Sequence, residues 1–527
     1  MNKLIKFTIY QICNFKFFFS IAFYKYLFLL IKLKNNKIKK NIFIFDNFES
    51  IDASFFRLIY IIIISKFFKA NIFHINIRYN LFFRIIYFLI GSKKINIYLN
   101  DYKKVEFENE FNNFFKIVRT KNDLLDYKID NLNIGLDIYE SYLIRNHYPT
   151  IDDLSRSNDK LSKIVEEALK NYIFWKFYFK KNKEFIKGIF LSHRNYVETN
   201  IINRISIKEK IKVFTTSGET HSIHRWRDNS LNFFEHYNKI FSLLNFSEKK
   251  NAIKWSKSRI LKRFDGEIGV DMDYSIKSAF KKNNLSYTKK LTEIENNKKT
   301  KMLICSTCFY DNPHCYGKMM FTDFYEVLKF LGKISHEVDY DWYIKPHPDY
   351  LPGTLENLRK CLKFFKNCKI IDPETSFHEL KNVIDCAVTT YGSIGHELPL
   401  LGIPVINCSD IHPHMSFKFN YSPKSKSELT EIIKNKKFQI KDKEDIYSFY
   451  YIHYNFLNNS NLFDKNLISF SNNNFNLFSQ KLKFLNDNIV IKDLEKKIIC
   501  FLENDYFKTV DKSNLDILHQ INDINFK

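Results

Sequence analysis

YIKPHPDYLPG, residues Tyr343–Gly353, opens as an apolar strand and breaks at its end into two proline-flanked polar side chains. Pro346 and Pro348 fix φ and cannot continue a ladder, so Lys345 and His347 are held in a rigid loop. After a helix and a short strand comes DCAVTTYGSIGHELPLLGIPVIN, Asp385–Asn407. It reads as a strand at Ala387–Thr389, a turn carrying Gly392 and Gly395, a helix through Leu401, Gly402 as its C-cap, and a strand at Pro404–Asn407. A strand, a glycine turn and a helix place backbone N–H groups where a phosphate can sit. Open α/β sheets bind ligands outside the carboxyl ends of their strands, and both pieces lie there. The pattern predicts a nucleotide site.

These residues also carry a resemblance. KPHP followed by T-x-x-G-S-x-G-x-E-x-x-x-x-G-x-P-V resembles the C-terminal half of the bacterial capsule polysaccharide biosynthesis proteins. That family includes the Kdo transferases that build the capsule's lipid linker, within the glycosyltransferases of two Rossmann-like domains (GT-B). The resemblance implies that His347 and Pro348 contact a donor nucleotide. It also implies that Gly392 and Ser393, at the turn and helix N-terminus, receive its phosphate; Thr390, Tyr391 and Gly395 of the same turn are further donor-side candidates. Glu397 either caps its own helix or accepts from a ribose hydroxyl, and the resemblance favours the ribose. The match is specific over roughly residues 300–430 and weaker over Ile134–Arg145 and Gly188–Gly218.

At 527 residues the chain is too long for one core, and two domains with appendages are expected. The strand–helix alternation predicts an α/β protein of two Rossmann-like domains facing a cleft. A basic apolar lead segment spans 1–38, an acceptor domain 39–290, a nucleotide-donor domain 302–435 and a partly helical tail 436–527. In the first domain, strands are expected at 41–45, 70–77, 94–99, 185–192 and 210–216. Helices are expected at about 51–68, 81–90, 150–178 and 196–205, the third opening on Thr150 as N-cap.

The formal charge of +24 would ordinarily point to nucleic acid or an anionic membrane. Here Lys, Asn, Ile, Phe and Tyr dominate together and the basic residues are diffuse, so no recognition element for nucleic acid emerges. The charge suits nucleotide donors, anionic glycans or an anionic lipid surface. Nine cysteines form no disulfide framework, which fits a reducing cytoplasm. Cys305, Cys308 and Cys315 have a spacing that zinc can use, but Cys305 belongs to a strand and no second pair follows, so neither metal nor cofactor is expected. In the lead segment Lys16 and Lys25 interrupt any uncharged membrane span. Its composition suits a helix lying on the inner face of the cytoplasmic membrane, and equally a helix packed on the first domain.

Sugar transfer without a metal needs positive groups or amides for the leaving phosphate and a base for the acceptor hydroxyl. Lys345, His347 and the amides around Ser393 offer the first. Asp311, in the loop after the second domain's first strand, is a further donor-side candidate. For the base, His193 at the end of strand 185–192 ranks first, with Asp46, Asp137 and Glu140 behind it. The expected activity is a glycosyltransferase of capsule or surface-polysaccharide assembly, taking a nucleotide-sugar donor (CMP-Kdo is one candidate) to a glycan or glycolipid acceptor. A CDP-polyol phosphotransferase of teichoic-acid type and a non-catalytic glycan- or membrane-binding scaffold are the alternatives.

Overall fold

Ile42–Phe45, β-branched and aromatic throughout, form the middle of a parallel sheet buried on both faces. The computed structural model describes residues 41–46, 51–75, 81–97, 101–216, 223–226, 234–272, 277–281 and 298–456, with single positions between 27 and 40, Ser275, and a few between 492 and 503. The first sheet comprises β1 (Asn41–Asp46), β2 (Ala70–Ile75), β3 (Lys93–Ile95), β6 (Ile186–Leu191), β7 (Val213–Thr216) and β8 (Ile223–Trp226). A two-strand hairpin, β4 (Lys128–Ile129) and β5 (Leu132–Asn133), stands apart. The order is β3-β2-β1-β6-β7-β8, parallel except for the edge strand β8. Parallel neighbours require crossovers, supplied by helices Ile51–Phe67 and Leu81–Leu89.

The second sheet holds β9 (Thr300–Cys305), β10 (Tyr340–Lys345), β11 (Cys368–Ile370), β12 (Cys386–Thr389) and β13 (Val405–Asn407), in the order β11-β10-β9-β12-β13 and wholly parallel. This is the expected pair of Rossmann-like sheets. In each, strand order reverses once, between β1 and β6 and between β9 and β12, and such a switch point opens a crevice at the carboxyl edge.

Local chemistry moved several boundaries. The helix expected from Thr150 starts at Asp159, because Asn158 caps it by accepting from Leu161 N. Thr150 is buried instead and donates to Asp323 Oδ2 at 2.6 Å. The helix expected through Leu401 stops at Glu397 and continues as a 3₁₀ turn, Leu398–Leu401, since Pro399 brings no N–H. Gly402 then ends it at φ +95°, a conformation that favours glycine. β3 ends at Ile95, short of the predicted strand, and Asn96 and Ile97 follow it as irregular chain.

Segments beyond the two sheets bind them together. Helix Phe246–Phe264 and Phe280 pack on the second sheet, where Phe280 shares a cluster with Leu303, Phe377 and Leu398. Helix Lys443–Tyr451 lies across Phe246–Phe264, with Ser256 Oγ donating to Tyr447 O at 2.8 Å and Tyr450 Oη to Asp271 Oδ2 at 2.9 Å. Ile498 and Leu502 are buried with Leu30, Leu33, Phe43 and Ile59 in the first sheet's outer cluster, beside a Lys66–Glu495 ion pair of 2.6 Å. Apart from a few such positions, the lead segment 1–38 lies outside the described residues. Among the described residues no helix is long and apolar enough to cross a membrane.

Candidate active site

The carboxyl edges of the two sheets meet. Glu140, on helix Gly135–Asn146, accepts through one oxygen from both the amide and the Nδ1 of His314, each at 2.7 Å. Tyr139 donates to Asp323 Oδ2 at 2.5 Å. Beside this joint, at the β9/β12 switch point, a cavity of about 450 Å³ opens. That volume falls within the range of small-molecule sites.

Lys345, His347, Pro348, Tyr391, Gly392, Ser393, Glu397 and Asp311 all line the cavity, so the two quoted stretches converge there. Asp349 N donates to His347 Nδ1 at 3.1 Å, which makes Nε2 the protonated nitrogen of the neutral ring. The ring is open to water in the cleft yet crowded by protein, and this desolvation lowers its pKa. Lys345 is 2% exposed; its ammonium donates to Pro373 O at 2.8 Å and lies over the Phe377 ring, and burial pulls its pKa down to about 8. Tyr391 Oη donates to Asn312 O at 3.0 Å, tying the β12 turn to the loop after β9.

Three donor-side expectations change in detail. Thr390 is buried and lines a separate void of about 20 Å³ against helix Phe324–Ser335, while Thr389 forms the cavity wall. Gly395 is not among the lining residues. It admits a close approach instead, since a Cβ there would stand 2.4 Å from His414 Cε1. Glu397, 1% exposed, accepts from Arg263 Nε at 2.6 Å and from Ser393 Oγ at 3.2 Å, so its carboxylate already has protein partners.

Behind the turn sits a network of defined polarity. The Gly395 carbonyl can only accept, so Asn420 presents its Nδ2 to it and to Asn407 Oδ1. Asn407 Nδ2 then faces His414 Nδ1 at 3.2 Å, and His414 Nε2 donates to His396 Nδ1 at 3.1 Å. Desolvation holds His396 and His414 well below the usual imidazole pKa.

Across the cleft the four base candidates separate into two groups. Asp137 is buried and engaged by Arg204, whose Nε donates at 2.8 Å, and by Asn200 at 2.7 Å. Glu140 is equally buried and holds His314. Both carboxylates fasten helix Gly135–Asn146 in place, and neither lines the cavity. Asp46 and His193 come together at the β1/β6 switch point. Ser192 N donates to Asp46 Oδ1 at 2.7 Å, Ser192 Oγ also bonds Asp46 Oδ2, and Ser192 Oγ lies 2.7 Å from His193 Nδ1. With Asp46 ionised, the one serine proton goes to the carboxylate. His193 Nδ1–H then donates to Ser192, and Nε2 becomes the ring's acceptor. Burial, reinforced by the Arg57 charge, pulls the His193 pKa down to about 4, so the ring is neutral at neutral pH. His193 packs edge-on to Tyr196, whose Oη approaches Asp311 Oδ1 at 3.5 Å. One tyrosine thus separates the histidine from Asp311 on the cavity wall.

Several lining residues had no sequence expectation: Arg263, Phe449, His453 and Tyr454. Asp339 and Asp341, which have Asp-x-Asp spacing, occupy the amino edge of β10, where they meet Lys299 and Asn367 at 2.6 Å each. Among the described residues no cluster of three His, Cys, Asp or Glu side chains gathers around a metal-sized gap.

No family model and no curated protein matches this sequence. Solved structures with a similar fold include KpsC of Thermosulfurimonas dismutans, a β-Kdo 2,4-transferase, at 11% identity and TM-score 0.33 over 50% of this chain and 79% of that one. A glycosyltransferase of Rickettsia africae matches at 11% identity and TM-score 0.27, covering 86% of this chain and 100% of that one. A UDP-GlcNAc 2-epimerase of Neisseria meningitidis, bound to UDP-GlcNAc, matches at 9% identity and TM-score 0.24 over 78% and 97%. At these identities and TM-scores the likenesses carry no argument for this chain, whose chemistry rests on its own residues.

Proposed function

We propose that this chain is a glycosyltransferase of capsule or surface-polysaccharide assembly. A nucleotide-activated sugar sits in the cavity at the β9/β12 switch point, and a glycan or glycolipid hydroxyl approaches from the first sheet. CMP-Kdo is one donor of this kind. The observation that carries the reading is the convergence of the His347 loop and the Gly392–Ser393 turn on one cavity, opposite the Asp46–Ser192–His193 chain.

In this reading the donor's phosphate accepts from His347 Nε2–H and from the backbone amide of Ser393, which draws charge from the glycosidic oxygen as its bond to the anomeric carbon breaks. His193 Nε2 takes the acceptor's hydroxyl proton, and the resulting imidazolium is stabilised through Ser192 by Asp46. The low pKa of the resting ring suits a base that is always unprotonated before substrate enters. Its strength rises when the acceptor and donor anions replace water around it.

The test is a thermal-shift panel of CMP, CDP, UDP and GDP on the full chain. A ligand at one hundred times its dissociation constant stabilises a fold by about 2.7 kcal/mol. One nucleotide is expected to raise the melting temperature in a dose-dependent way. No response to any of them sinks the reading and leaves a non-catalytic scaffold.

A further inference from the structure

The cavity's persistent cation comes from outside the quoted motifs. Arg263, near the end of helix Phe246–Phe264, reaches the cavity wall with its side chain 12% exposed. Its Nε and Nη2 both engage Glu397 Oε1, and Nη1 donates to Val270 O at 2.9 Å. Glu397 is anchored in turn by the Ser393 hydroxyl. These contacts use the guanidinium's side-on edge and one Nη1 hydrogen. One hydrogen on Nη1 and one on Nη2 remain, and together they form a fork that matches a phosphate or carboxylate.

The other cations near the cavity are less suited to an anion. Lys345 spends its ammonium on a carbonyl, and Lys277 is paired with Glu374 at 2.7 Å. Arginine also keeps its charge in a crowded site where lysine gives it up.

Building on the donor reading above, we propose that Arg263 binds an oxyanion of the nucleotide-sugar donor through this fork. Glu397 and Ser393 act as positioning residues that hold the guanidinium in place. Glu397 then owes its position to Arg263 rather than to a ribose hydroxyl. The oxyanion is the donor's phosphate or a carboxylate on its sugar, and the two are separable by ligand choice.

The experiment titrates the full chain calorimetrically with the nucleotide selected by the panel, with its unphosphorylated nucleoside, and with the sugar carboxylate alone. Arg263→Lys should weaken nucleotide binding roughly ten- to hundredfold and leave the nucleoside unchanged. Because Arg263→Met alone strands a buried carboxylate, the removal variant is the pair Arg263→Met with Glu397→Gln, which should keep its melting temperature and show the same loss. Glu397→Gln alone keeps an oxygen for Arg263 but not the charge that positions it, and should weaken nucleotide binding less than the pair does. A loss confined to the sugar carboxylate assigns the fork to that group and overturns the phosphate assignment. If the parent binds nucleotide and both arginine variants match it within twofold for the nucleotide and for the sugar carboxylate alike, the Arg263 proposal fails and the donor site stands. If the parent binds no nucleotide, the donor reading itself fails and the Arg263 proposal falls with it.

Discussion

Asp349 N fixes the His347 tautomer, and a substitution can test what that tautomer is for. If Nε2–H meets the donor, His347→Ala loses one hydrogen bond to a charged group, about 1.5–3 kcal/mol. Nucleotide affinity should fall roughly ten- to hundredfold, read by calorimetry, while the melting temperature holds. Full affinity with a lower melting temperature would make His347 a turn residue only. Residues of this kind were legible because they sit in sequence beside the strand that presents them. Lys345 ends β10 and Pro346 through Pro348 follow it directly, and Tyr391 through Ser393 follow β12. Arg263 was not, since it meets Glu397 across 134 positions of chain. One cheap signal was available: an arginine stands out in a sequence that uses lysine nearly everywhere else, and arginine suits bidentate pairs. Asp137 and Glu140 misled for the opposite reason. A carboxylate inside an apolar helix looks chemical in sequence, and only the structure reveals Arg204 and His314 waiting for it.

Among elements, the turn after β12 shows how close packing positions a site. Gly395 is where the backbone passes His414, at a distance where a methyl group would overlap the imidazole. His414 cannot simply swing away, because Asn407 and His396 hold both ring nitrogens. Gly395→Ala should therefore cost about 1–3 kcal/mol of stability and displace the turn that carries Ser393. The measurable outcome is a lower midpoint in denaturant together with weaker nucleotide binding. Unchanged values for both would show that the turn absorbs the methyl group and that Gly395 is there for another reason. The two parallel sheets followed from alternating apolar strands and helices, which the sequence displays openly. Helix ends were less visible. Thr150 followed by acidic residues looks like a cap, yet Asp323, the N-cap of helix Phe324–Ser335, claims its hydroxyl, and Asn158 does the capping. Tertiary partners of that sort leave no local trace.

For the molecule as a whole, burial of imidazoles sets an acid limit on stability. His396, His412 and His414 are each 0–1% exposed, and desolvation, the largest cause in every case, lowers all three pKa values; for His412 the value is about 3. In the unfolded chain histidine titrates near 6.5. Between about pH 6.5 and pH 3, then, the unfolded state carries a proton at position 412 that the folded state lacks. Stability rises with pH wherever the unfolded state binds more protons, so this histidine withdraws stability as the solution is acidified through that window. Buried Asp46, Asp137 and Glu140 have raised pKa values and act in the opposite sense, which makes the parent's net slope a poor readout. A difference between two proteins removes them. His412→Asn keeps an acceptor for the His414 amide, which now donates to His412 Nδ1 at 3.2 Å. Relative to that variant, the parent should lose stability as pH falls below about 6.5, by up to about 1.4 kcal/mol per pH unit, with no divergence above pH 7. Urea unfolding of both proteins at half-unit steps from pH 7.5 to pH 4.5 measures the gap directly. Parallel curves across that range would mean that His412 is protonated in the fold and that the imidazole cluster carries charge behind the donor cavity.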